Sequence, residues 1–177
     1  SGACTGTGSC LVTMSALREV TATFSPATTI PRLANIATRM QVLTGDNVLI
    51  GGFIIGGSAP KTVVIRARGP SLAQHGLTGL LANPKLDLYS GQTLIGSNDD
   101  WQGASNASAL TASGFAPSQA VESAILVTLD PGAYTAIVRG SDGGTGIGIV
   151  EVFEVDRADV PLVNIATRGQ VLTGNDV

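Results

Sequence analysis

The chain predicts an all-β fold, an antiparallel β-sandwich of jelly-roll type. Hydrophobic residues make up 44% of it and charged residues 13%. That balance supports a buried core and is the reverse of a disordered chain. Gly is frequent, at 23 of 177 residues, and the remainder leans on Val, Ile, Thr, Ser and Ala, a mixture suited to short strands and tight turns. Turn signals such as Ser90-Gly91-Gln92 and Asp130-Pro131-Gly132 separate apolar runs, as antiparallel hairpins require. The length suits one domain with flanking pieces.

Residues 9–14 and 19–24 read as two short strands around the polar turn 15–18, a short N-terminal β-hairpin. A lone hairpin is marginal in water, so residues 1–24 are expected to be the tail of a preceding β-repeat domain. Residues 25–30 carry Pro and Thr without periodicity and read as a linker. Residues 31–156 form the sandwich repeat unit. Its strands are expected at 48–55, 62–68, 86–89, 93–96, 124–129, 133–139 and 147–155. On the second of these, Arg66 and Arg68 share one face while Ile65 and Ala67 share the other. Glu151 and Glu154 fall on opposite faces of the last, which suggests a bulge or a sheet edge. Residues 71–82 read as a short helix, and the Ala/Ser-rich stretch 104–120 as a cover over one end of the sandwich.

The most specific feature is an internal repeat. Residues 33–48 read LANIATRMQVLTGDNV and residues 162–177 read LVNIATRGQVLTGNDV, with 12 of 16 positions identical at an offset of 129. A repeat of this quality marks a tandem architecture. Residues 157–177 are therefore expected to begin the next repeat and to contribute its first strand, and the chain is expected to be part of a longer protein.

Three local patterns resemble known families. SGACTGTGSCLVTMSALREVTATF, residues 1–24, resembles the closing segment of a divergent internalin-type bacterial repeat. LDLYSGQTLIGSNDDW followed by LDPGAYTAIVRG, within residues 86–155, is similar to the bacterial pre-peptidase C-terminal domain. That resemblance implies a non-catalytic jelly-roll module attached to secreted enzymes and surface proteins, some relatives of which bind calcium or fibrous substrates. VVIRARGPSLAQHGLTGLL resembles a recurrent module of large secreted bacterial proteins.

Composition also limits function. The net charge is -3 with only 10 Lys and Arg, so no basic surface is available for nucleic acid. No apolar run approaches the roughly 18 residues of a membrane span. Cys4 and Cys10 lie close together in a Gly-rich segment with no other ligands nearby. They are expected to form a small disulfide, which places the chain in an oxidising compartment, secreted or at a bacterial cell surface. Two free thiols are the alternative.

Candidate sites each have a plain structural reading beside them. Asn98, Asp99 and Asp100 offer consecutive oxygens for calcium, with Asp87, Glu122 or Asp142 as further donors. The alternative is an Asx-type turn with Trp101 packed as a lid. Trp101, Tyr89 and Tyr134 are a candidate stacking platform for extracellular polysaccharide, against core packing. Arg66, Arg68 and Arg139 are a candidate anion cluster, against ion pairs with Asp87, Glu122 or Glu151. His75 stands alone, Ser71 lacks a nucleophile elbow, and no phosphate loop is present. The chain is therefore expected not to be an enzyme.

The leading expectation is a structural or adhesive module that assembles by strand complementation. Asn164, Ile165, Ala166, Thr167, Arg168 and Val171 would be the associating strand, and the partners would be copies of the chain or adjacent repeats. The alternative is a calcium-dependent or carbohydrate-binding accessory domain of a secreted hydrolase.

Overall fold

A computed structural model of the protein describes residues 33–156 and 159–173. Nine strands occur among them: β1 (Asn35–Val42), β2 (Leu49–Ile55), β3 (Lys61–Arg68), β4 (Pro84–Ser90), β5 (Thr93–Asn98), β6 (Ser123–Leu129), β7 (Gly132–Gly140), β8 (Gly146–Glu154) and β9 (Leu162–Arg168). They form two antiparallel sheets, ordered β1-β8-β3-β6 and β5-β4-β7-β2-β9.

This order is that of a jelly roll with one added strand. The pairs β1·β8, β2·β7, β3·β6 and β4·β5 are nested, as if one long hairpin folded at the Ser90–Thr93 turn had been rolled into two layers. β9 extends the second sheet beyond β2. The expected sandwich is therefore the observed one, and every strand expected in residues 48–155 is present within a residue or two.

Alternation along the strands builds the core. Leu49, Phe53 and Ile55 of β2, Val63, Ile65 and Ala67 of β3, Leu86 and Leu88 of β4, Tyr134, Ala136 and Val138 of β7, and Val150 and Val152 of β8 form one buried cluster. Period-two patterning turns these side chains inward while their neighbours face out. The sheets approach closely at Gly51, where a Cβ would lie 3.1 Å from Val150 Cγ1.

Three expectations change. β8 is not an edge strand but lies between β1 and β3. Its two glutamates face opposite ways because each meets its own cation: Glu151 sits with Arg66 and Arg68 on the outer face, and Glu154 lies 3.0 Å from the fully buried Lys61. Residues 71–82 hold only a 3-10 turn, Pro70–His75, ended by Gly76 in the left-handed region (φ 76). Within 104–120, the helix α1 (Ala107–Ala112) covers an outer sheet face rather than the end of the sandwich, since its Leu110 packs with Val64 and Ala124. Residues 162–168, expected to contribute the first strand of the next repeat, pair with β2 as β9.

Candidate functional site

The two repeat copies meet at one side of the sandwich. β1 is the outermost strand of one sheet and β9 that of the other. Isolated bridges join Leu33 to Leu162 and Gln41 to Gln170, so each copy touches its own equivalent at both ends. Side-chain burial in β9 is slight. Val160 and Leu162 enter the core (3% and 2% exposed) and Ile165 is half-buried, whereas the other residues through Arg168 are exposed. β9 is thus held mainly by its hydrogen-bonded register on β2, with a bulge between the pairs Ile54–Asn164 and Ile55–Leu162.

The two copies use opposite backbone edges. Glu154 N donates to Ala34 O (3.0 Å), so the even-numbered residues of β1 turn their peptide groups to β8. In β9, Ile165 N donates to the Asn164 Oδ1 instead of to β2 (2.7 Å). Asn164, Ala166 and Arg168 then face β2, and these are the counterparts of the odd-numbered Asn35, Ala37 and Arg39 in β1. Of the predicted associating residues, Asn164 to Arg168 therefore lie on β2 of their own chain, and Val171 lies past the strand, 72% exposed.

The residues singled out for calcium separate into distinct roles. Asn98 is a structural peg: its Oδ1 accepts from Ala124 N (2.9 Å) and its Nδ2 donates to Asp100 O (3.1 Å). Asp100 is exposed. Asp99 faces Ser141, whose hydroxyl donates to its Oδ2 (3.0 Å), while Ser123 donates to its carbonyl (2.7 Å). Ser141 N donates to Asn83 O (2.8 Å), and Ser123 also donates to Pro84 O. Asp99 Oδ1 and Asn83 Oδ1 are buried and accept no hydrogen bond. Each of these two oxygens is therefore an acceptor without a protein donor. Among the described residues no three His, Cys, Asp or Glu side chains converge, so a cation here would draw on Asp99 together with amide and carbonyl oxygens. Asp87 is committed elsewhere, while Glu122 uses one carboxylate oxygen and leaves Oε2 buried without a partner. Asp87 takes Arg139 and Ser97, and Glu122 Oε1 accepts from Gly69 N (3.0 Å) and Ser71 N (2.9 Å).

The aromatic platform is not assembled. Tyr134 is buried against Phe53, with ring centroids 5.6 Å apart. Trp101 packs in the Val64–Leu110 cluster and donates to Gln119 O (3.1 Å). The arginines are neutralised rather than gathered. Glu151 accepts from Arg66 Nε (2.6 Å) and Arg68 Nε (2.7 Å), and Arg66 also lies over the Phe153 ring (4.7 Å). Burial alone would raise the Glu151 pKa, but hydrogen bonds from Arg68 and Arg66, with their charges, outweigh it and hold the group below its ordinary value.

The solved pre-peptidase C-terminal domain of a collagenase from Bacillus anthracis is similar to this chain at 14% identity and a TM-score of 0.41, covering 70% of this chain and 97% of that one. No family model matches the chain. No curated protein matches it either. The internalin-type resemblance, the N-terminal hairpin, the linker and the Cys4–Cys10 pair all lie outside the described residues. No helix among the described residues is long and apolar enough to cross a membrane.

Proposed function

We propose that the chain is a non-catalytic structural module of a secreted or cell-surface bacterial repeat protein, and that it self-associates through its terminal β-strand into extracellular assemblies. The observation that carries this reading is the seam. Near-identical segments occupy the outer strands of both sheets, and edge strands are the natural sites of intermolecular pairing. Light scattering of the full chain across a concentration series tests it. Growth beyond a dimer is the expected result, and a monomer at every concentration would overturn it.

A second reading is favoured by the unmatched oxygens of Asp99 and Asn83: a calcium-stabilised accessory module. Saturating calcium should then raise the Tm by about 3 °C or more. Asp99→Asn should abolish that rise while leaving the calcium-free Tm close to wild type. Equal calcium responses in both proteins would exclude Asp99 as a ligand.

A further inference from the structure

The slot that β9 fills beside β2 has a shape that discriminates between the two repeat copies. Its floor is made of glycine. A Cβ on Gly56 would lie 2.6 Å from Val163 Cγ1, and one on Gly52 would lie 3.5 Å from Ala166 O. The more selective feature is on the opposite wall. A Cβ on Gly169 would lie 2.1 Å from Met40 Sδ and 3.1 Å from Met40 Cβ. Met40 and Gly169 are equivalent positions in the repeat, and theirs is the one difference in which a large side chain is replaced by none. The flexible Met40 thioether thus occupies the space beside Gly169, and a second Met there would have to displace it. A segment like 33–42 placed in the slot would set Met against Met, whereas a segment like 162–171 sets Gly against Met.

The occupant is also lightly held. Its contribution to the core is Val160 and Leu162, with Ile165 half-buried. The sheets themselves close through the nested pairs β1·β8, β2·β7, β3·β6 and β4·β5, none of which involves β9. Detaching β9 leaves these intact, so its release is a local opening rather than global unfolding.

We infer that this slot is a strand-exchange site for the 160–170 segment of a second copy of the same chain, with Met40 against Gly169 as the device that selects the Gly-bearing copy. The inference rests on the self-association reading and specifies its surface, its occupant and its selectivity. A reciprocal exchange gives a closed dimer, and an open-ended one gives a filament.

The test uses two full-length variants. Gly169→Met places Met on both sides of the seam, and Met40→Gly leaves none. Each seam is mismatched within its own chain. Exchange of β9 between the two chains puts one Met against one Gly in both slots. Native mass spectrometry of the mixture should show the heterodimer in about tenfold excess over either homodimer. The double variant Met40→Gly/Gly169→Met, matched within one chain, should lose this preference. Two soluble variants that form no heterodimer would overturn the inference. If Gly169→Met does not fold alone, co-refolding with Met40→Gly should recover it as a soluble heterodimer. Failure to do so while the double variant folds would also overturn it. Wild-type light scattering separates the two levels: assembly of the wild type without heterodimer formation sinks the slot and leaves self-association standing, whereas a wild type that stays monomeric overturns self-association and the slot with it.

Discussion

Glu151 is the shared acceptor for two arginines on the outer face of its sheet. It is 5% exposed and receives Arg66 and Arg68, while Arg66 extends to Phe115 O (2.9 Å) and to the Phe153 ring. Removing its charge leaves two arginines partly buried beside each other. Glu151→Gln is expected to cost about 3 kcal/mol in urea denaturation at neutral pH. The pH dependence has a definite sign. The folded-state pKa lies below the ordinary glutamate value, so the unfolded chain binds the proton more readily. The stabilisation is therefore complete above that ordinary value and is lost as the pH falls through the depressed one. The gap between wild type and Glu151→Gln should narrow across that acidic interval, and a gap independent of pH would show that the charge is not responsible.

At the scale of elements, the four sheet edges are managed differently. β6, at the far side from the repeat seam, is protected by side chains acting in place of a neighbouring strand. Asn98 Oδ1 accepts from Ala124 N, and Asn106 Nδ2 donates to Leu126 O, each at 2.9 Å. Such borrowed partners satisfy an edge and discourage another chain from docking there. Asn98→Ala should cost about 1 to 2 kcal/mol by chemical denaturation, because Ala124 N and Asp100 O lose a partner together. An unchanged midpoint would mean that water replaces the amide without loss. On β9 a side chain plays a similar part, since Asn164 Oδ1 accepts from Ile165 N (2.7 Å).

For the whole molecule, what was legible in the sequence was local. The hairpins β4·β5 and β6·β7 announce themselves through Ser90-Gly91-Gln92 and Asp130-Pro131-Gly132, and inward alternation gives β3 and its two arginines. The pairing of these arginines with Glu151 was among the readings available from face and charge alone. Pairings that span the chain were not legible. Nothing near Asn35 signals that it lies opposite Phe153, and nothing in the Ala/Ser-rich stretch shows that Leu110 will cover Val64. The Asn98-Asp99-Asp100 run suggested ligands, yet only the fold shows that Asn98 is spent on an edge while Asp99 keeps an unmatched oxygen. The repeat was plain in the sequence. Where the second copy would pair was not, because nothing in residues 162–168 names β2 as their neighbour.

The twin segments also bear on the order of events during folding. In the finished protein Arg168 lies opposite Ile50 and Ala166 opposite Gly52. Their counterparts Arg39 and Ala37 precede β2 in the chain by only a short loop, so the same register is open to them as a plain hairpin. Short loops close in tens of nanoseconds, whereas the pairing of Thr38 with Val150 must wait for a distant partner. Each molecule thus carries a fast, nearby rival for the edge of β2. In the native arrangement it is the distant copy, not this nearer one, that lies beside β2.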